Sequence, residues 1–250
     1  MKICVRNYKP ILIPDDLTAK EVGPFDGHTP YVAKVTTRLN KRGYRERALP
    51  SKLLCLEAIK GRMLALGVYR SFSEPLAGVG LSARIFDNGG KLYLNDTDEG
   101  CRKILKANFG GEPTGLDALT MKLPKADAIF LDFNDFTLKR YNQTAYGVVL
   151  GGAFKTAKKF VILNDCSIFY FRYGKSSFET YSKYLGQKIN SIEDYLRAIR
   201  AYHRREHPDW WLVHAAYFRD SSFQLFSREV APLKIESVGI IPKAMVTVQP

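Results

Sequence analysis

Glu74 opens the run Glu74-Pro75-Leu76-Ala77-Gly78-Val79-Gly80, which follows a short strand-like stretch at 69–73. Glycines in a turn between strand and helix let a ligand approach the backbone, and the start of the helix offers unpaired N–H groups. The spacing is not G-x-G-x-x-G, so a plain turn is the competing reading. Asp96, with Thr97 beside it, closes a second strand about 20 residues on, the distance at which a carboxylate accepts ribose hydroxyls in open α/β sheets. Asp96 or Asp98 could instead cap the next helix. Asp117 and Ala118 stand ahead of a third apolar run. A carboxylate there can accept from an adenine amino group or merely close a surface turn. Beyond that run lies Asp132-Phe133-Asn134-Asp135-Phe136. It places two carboxylates and an amide among aromatic rings at the carboxyl end of a buried strand, where such sheets hold their ligands. A capped turn into the next helix is the alternative.

Positioning these residues requires strands alternating with helices, and the chain carries that pattern. Ser51 can cap a helix running to about Leu66, with Leu53, Leu54, Leu56, Ile59, Met63 and Leu66 on its apolar face. The strand at 69–73, a helix at 81–86 and a strand at 91–95 follow. Asp98 opens a helix to Asn108 that carries Cys101, Ile104, Leu105 and Phe109 on one side. Ala128-Ile129-Phe130-Leu131 reads as a strand buried on both faces. A helix near 145–158, a strand at 160–163 and a Ser191-capped helix to about His203 come next. The segments 210–218 and 222–228 flank a turn at 219–221 and read as a long antiparallel hairpin. The expected class is α/β: a Rossmann-like open, mostly parallel sheet with helices on both faces and a C-terminal antiparallel hairpin. Residues 1–50 hold Pro10, Pro14, Pro24, Pro30 and Pro50 and read as an irregular N-terminal extension packed on the main domain, 51–230. Residues 231–250 form a tail, either one more strand or a mobile end.

The chain has 250 residues, 46% of them hydrophobic and 25% charged, the balance of a globular protein. An apolar run of about 18 residues is absent, which argues against a transmembrane helix. The first six residues are charged and carry no apolar stretch, so a secretory signal is not expected and an intracellular location is. Cys4, Cys55, Cys101 and Cys166 are scattered and read as reduced thiols. His203 and His207 are four apart, but Pro208 follows and a third ligand is missing, so no metal site is expected. Thirty-eight Lys and Arg against 25 Asp and Glu give a net charge of +13. That excess points to a polyanionic partner, nucleic acid, since cations that neutralise phosphates release counterions. Arg38, Lys41, Arg42, Arg45 and Arg47 cluster around Tyr44. Arg197, Arg200 and Arg204 share a helix face, with Arg205 adjacent. These are candidate phosphate contacts, or solvated faces partly neutralised by Glu193, Asp194 and Glu206. Trp210 and Trp211 could stack on bases or pack the hairpin.

Taken in order, the motifs resemble those of class I S-adenosylmethionine-dependent methyltransferases over about 51–230. On that resemblance Glu74, Pro75, Ala77, Gly78 and Gly80 form the methionine-side loop, and Asp96 and Thr97 the ribose end of strand two. Asp117 and Ala118 form the adenine-side turn, and Asp132 to Phe136 the catalytic loop. The implied cofactor is S-adenosylmethionine. The stretches L-A-G-V-G-L-S-A-R-I-F, L-N-D-T-D-E-G-C-R-K-I-L-K-A-N-F and A-I-F-L-D-F-N-D-F look like the tRNA guanine-N2 methyltransferases. That family's D-P-F-G turn stands here as Asp132-Phe133-Asn134-Asp135. The strand-five lysine of 2′-O-methyltransferases has no counterpart in 160–165. The implied reaction is methyl transfer to RNA or DNA, with an exocyclic amine favoured as acceptor. Asp132, Asn134 or Asp135 would accept the amine N–H and favour its pyramidal, nucleophilic form, while Phe133 or Phe136 would stack on the base. A duplex base would have to flip out, which favours loops and single strands. The competing expectation is a methyltransferase-like fold serving as a catalytically inactive nucleic-acid-binding or structural module.

Overall fold

The computed structural model describes residues 2–14, 44–132, 144–165, 178–218, 221–239 and 246–249. Strands β1 (Lys2–Val5) and β2 (Ile11–Leu12) precede a 23-residue helix, α1 (Tyr44–Leu66). Alternation then sets in: β3 (Ser71–Glu74), α2 (Leu81–Phe86), β4 (Lys91–Leu94), α3 (Glu99–Phe109), β5 (Ala128–Leu131), α4 (Thr144–Thr156) and β6 (Phe160–Asn164). Helices α5 (Phe178–Leu185) and α6 (Ile192–Glu206) lead to β7 (Trp211–Phe218), β8 (Ser221–Ser227), β9 (Lys234–Ser237) and β10 (Val246–Gln249).

Seven strands form the main sheet in the order β4-β3-β5-β6-β8-β7-β9. The first four are parallel, and β8 runs antiparallel to both β6 and β7. This is the Rossmann-like sheet with a C-terminal antiparallel hairpin that the alternation predicts. Strand β9, which pairs parallel with β7, lies in the 231–250 tail, left open between one more strand and a mobile end. The segment after α3 contributes no full strand; it meets the sheet through one parallel bridge between Asn95 and Thr114.

Helices cover both faces because both faces of the central strands are apolar. On one side α1 lies across β7 and β8 and against α2. Its Leu53, Leu56, Ile59 and Met63, spaced by three and four residues, are all buried. Phe72, Phe86, Phe130 and Phe223 link that layer in a chain of ring contacts at 4.9, 6.0 and 5.8 Å between centroids. The other side packs Val149, Phe154, Tyr195 and Ile199 with Val161, Leu163, Leu212 and Phe226. No helix among the described residues is long and apolar enough to cross a membrane.

Helix α1 begins before Ser51 and runs through Pro50, which corrects the expected boundary. The proline's missing N–H costs one backbone bond. The downstream apolar face buried against the sheet outweighs that loss. The caps at Asp98 and Ser191 are as expected: their side chains accept from the N–H of Cys101 at 2.9 Å and of Asp194 at 3.0 Å. The tail, left open between strand and mobile end, supplies β10, which pairs antiparallel with β1 in a second sheet of order β10-β1-β2. Ile3 and Ile11 of that sheet, and Ile13 just after it, join the core. The Asn108 amide donates to the Leu12 carbonyl at 2.6 Å and accepts from the Leu12 N–H at 2.7 Å, standing where a neighbouring strand would stand.

Candidate functional site

Parallel β3, β4, β5 and β6 deliver their carboxyl ends to one rim of the sheet. Three of the acidic residues singled out by spacing arrive there, Glu74, Asp96 and Asp132, together with Asn95. Glu74 ends β3 and is 1% exposed. Its Oε2 has no hydrogen-bond partner among the described residues. Burial holds this carboxyl well above the usual carboxylate range; the Asp132 and Asp96 carboxylates push the same way, while Lys52 and a Ser82 hydrogen bond oppose them. Burial therefore favours the protonated form of Glu74.

The glycine turn then passes through left-handed backbone at Gly78 (φ 53°) and Gly80 (φ 85°). A Cβ at Gly80 would run into the Phe109 ring, so glycine there is both a conformational and a packing requirement. Asp96 fixes the turn from across the rim. Its Oδ2 accepts from the Gly78 N–H and its Oδ1 from the Asp98 N–H, both at 2.9 Å. Asp98, not Asp96, caps α3. Each Asp96 oxygen retains a lone pair, so the carboxylate can still take hydroxyl donors.

Asn95 does more than its place at a strand end implied. It is 2% exposed. Its Nδ2 donates to the carbonyls of Pro75 at 2.8 Å and Leu116 at 2.9 Å. Its Oδ1 accepts from Thr114 Oγ1 at 2.7 Å and the Leu116 N–H at 2.9 Å. One amide thus joins the glycine turn, the end of β4 and the segment leading to Asp117. Arg102 donates to the carbonyls of Asp96 and Thr97, tightening the same corner. Asp117 itself is exposed and accepts from the Leu119 N–H at 2.9 Å, closing a turn, while Ala118 is buried beneath it.

Asp132 leaves β5 with its side chain 8% exposed. The Lys52 ammonium, reaching over from α1, pairs with Oδ2, and Asn164 at the end of β6 donates to Oδ1 at 2.8 Å. Neither Lys52 nor Asn164 was singled out by the sequence. Lys52 sits directly after the expected cap at Ser51, on a helix whose pattern speaks only of its apolar face. Next to Asn164, fully buried Asp165 accepts from the Tyr195 hydroxyl at 3.0 Å and from Gln224 Nε2 at 2.5 Å.

Phe133, Asn134, Asp135, Phe136, Arg38, Lys41 and Arg42 lie outside the described residues, and Arg45 and Arg47 fall on the first turns of α1. Arg204 and Arg205 sit at the opposite rim. Trp211 is in register with Ser227, which is in register with Phe160, the first residue of β6. Arg204 and Arg200 stand over the Trp211 ring at 4.1 and 5.4 Å from its centroid, and Arg205 pairs with Glu206 at 3.8 Å. Trp210 packs in the core, donating to the Phe154 carbonyl at 3.0 Å. No group of three or more His, Cys, Asp or Glu among the described residues is arranged to hold a metal ion.

No family model matches the sequence, and no curated relative is recognisable from it. Solved structures do match. The magnesium protoporphyrin IX methyltransferase of Synechocystis PCC 6803, with S-adenosylhomocysteine bound, superposes with a TM-score of 0.50 at 13% identity, over 81% of this chain and 96% of that one. The same enzyme with S-adenosylmethionine gives 0.50 at 10% identity, over 81% and 93%. A putative RNA methyltransferase from Pyrococcus horikoshii gives 0.44 at 14% identity, over 78% and 90%. The fold is that of the class I S-adenosylmethionine-dependent methyltransferases. Identities this low show the fold and leave the activity to the site.

Proposed function

We propose that this chain is an S-adenosylmethionine-dependent methyltransferase acting on nucleic acid, with an exocyclic base amine as acceptor. The observation that carries the reading is the rim itself: Asp96 binds the glycine turn, Asn95 binds that turn to the Thr114–Leu116 segment, and Asp132 stands on the adjacent strand. The residues present fit the cofactor. Gly78 and Gly80 leave the backbone of the turn open, Asp96 keeps acceptor capacity for ribose hydroxyls, and Glu74 carries a buried, unpartnered oxygen beside them. Glu74, Gly78, Gly80, Asp96 and Asp117 would hold the cofactor. When bound, it supplies a methyl group on a positively charged sulfur, an electrophile that needs positioning more than activation.

The chain's part is to orient the acceptor and take its proton's hydrogen bond. The cofactor would supply the methyl group to the acceptor nitrogen, and the proton lost by the amine would pass to a base or to water. Asp132, fixed by Lys52 and Asn164, can accept an amine N–H and favour the pyramidal nitrogen. The net charge of +13 supports a polyanionic acceptor. A second reading has a specific observation behind it: both Asp132 oxygens already have partners, as they would in a catalytically inactive module that keeps the fold.

Calorimetry with S-adenosylmethionine separates the two, with Asp96→Ala alongside. The wild type is expected to bind and the variant to bind at least tenfold more weakly. Transfer of a labelled methyl group to pooled RNA or DNA would then establish the acceptor class. A folded wild type without affinity for the cofactor would end the enzyme reading.

A further inference from the structure

Side chains alternate along a strand, so a residue two places beyond a core position shares its side of the sheet. Phe72, Phe130 and Ile162 belong to the core layer that Leu53 and Leu56 of α1 cover. Two places further along β3, β5 and β6 stand Glu74, Asp132 and Asn164. All three therefore come out under α1, within reach of Lys52, the residue before Leu53. Around Glu74 stand Lys52 from α1, Asp132 after β5, Asp96 after β4 and the Ser82 hydroxyl of α2. Among the described residues, three carboxyls meet one ammonium there. Backbone relieves Asp96, which accepts from the N–H groups of Gly78 and Asp98. Asp132 takes the ammonium itself on Oδ2 and the Asn164 amide on Oδ1. Glu74, 1% exposed, has the Ser82 hydroxyl and lies beside the ion pair.

Neighbouring buried carboxyls cannot both hold a charge cheaply: each is desolvated and each repels the other. An ammonium seated on one of them settles which keeps it. Environments that drive two such groups apart give them opposite roles. We propose that Lys52 is a positioning residue: by seating its ammonium on Asp132, it makes Asp132 the acceptor of the rim and leaves Glu74 as a proton-bearing donor. A protonated carboxyl can donate a hydrogen bond, which a carboxylate cannot. The rim then offers an acceptor to the amine at Asp132 and a donor to whatever the glycine turn holds at Glu74. Helix α1, which lies outside the alternating strands and helices, thereby sets the charge of the site that they build. The use of this division in catalysis rests on the methyl-transfer reading. The division itself belongs to the chain without ligand.

The test is infrared spectroscopy of the full chain without ligand, in which a protonated carboxyl has a C=O band apart from those of carboxylates. At pH 6.5 the wild type is expected to show such a band, and Glu74→Gln to remove it. Lys52→Met is expected to add a second band of similar area, which Asp132→Asn on the same background removes. Asp132→Asn alone is expected to do the reverse: the freed ammonium serves Glu74, and the Glu74 band is lost. Lys52→Arg keeps a cation and is expected to keep the wild-type spectrum. Lys52→Met and Asp132→Asn move the signal in opposite directions, so either suffices should the other fail to fold. With an acceptor identified by labelled-methyl transfer, Lys52→Met is expected to be about tenfold slower than the wild type at pH 6.5 and to approach it by pH 9. A merely structural role would slow both alike. The proposal is overturned if Lys52→Met adds no band, if Asp132→Asn keeps the Glu74 band, or if Glu74→Gln removes none. A folded chain that gives the expected spectra yet binds no cofactor in calorimetry would uphold the division of the carboxyls and end the methyl-transfer reading.

Discussion

Asp132 and Lys52 are 80 positions apart in sequence, yet they form the charge pair at the centre of the rim. Removing one partner leaves the other charge in a site that is 8% exposed on the aspartate side and 23% on the lysine side. Breaking a buried pair costs about 3–5 kcal/mol, and partial exposure of the lysine reduces that toward about 2. Lys52→Met is therefore expected to lower stability by roughly 2 kcal/mol in denaturant unfolding. Combining it with Asp132→Asn is expected to recover part of the loss, since no lone charge remains. Additive losses would show that the two side chains do not act as a pair. Glu74 gives a test with a defined sign. Its folded-state proton is held well above the ordinary value of 4.5. Between those values the native chain keeps a proton the unfolded chain has lost, so stability falls as pH rises through the interval. Glu74→Gln cannot titrate. Thermal melts from pH 4.5 to 9 should show the variant losing less stability than the wild type at the alkaline end, and coincident profiles would refute the assignment.

At the scale of elements, α6 and β7 each bury a histidine in its neutral form. His203 packs against Phe226 and Phe154, with ring centroids 4.6 and 5.7 Å away, and burial lowers its pKa to about 3. His214 is fully buried, 3.2 Å from Glu236 of β9; burial lowers its pKa to about 4 although that carboxylate opposes the shift. Both folded-state values lie below the unfolded one. The stability these groups contribute is complete above about pH 6.5 and is lost as pH falls toward 4 and then 3. His203→Phe and His214→Gln should each reduce the drop in melting temperature between pH 7 and 4.5 by several degrees. An unchanged drop in both would place the acid lability elsewhere. Element positions themselves were readable wherever one signal dominated: the apolar runs of β5 and β6, the caps at Asp98 and Ser191, and the hairpin. They were not readable where packing overrode local chemistry. Helix α1 runs through Pro50 because its buried face carries it.

For the whole molecule, charge is the property that reaches furthest. If the excess of cations binds nucleic acid, affinity should fall steeply and linearly in log–log form with salt, at a slope of about −0.7 per neutralised phosphate for single strands. Fluorescence anisotropy with a labelled single-stranded RNA between 50 and 200 mM salt reads that slope, and a salt-independent affinity would remove nucleic acid as the partner. Arg204 and Arg205 are expected to contribute little, since they lie at the rim opposite Asp132 and already engage Trp211 and Glu206.

The sequence by itself determined the order of strands and helices and the residues at strand ends. Both follow from local periodicity, from capping groups and from the rule that open parallel sheets gather function at their carboxyl edge. Glu74, Gly78, Gly80, Asp96 and Asp132 were legible for that reason. Only the tertiary structure decided what each of them does there. It tied Asp96 to Gly78, made Asn95 the joint between three segments, and set Lys52 and Asn164 on Asp132. Those pairings span 18 to 80 residues. They exist because separate elements pack against a common sheet, and no spacing along one chain encodes which side chains will meet across it.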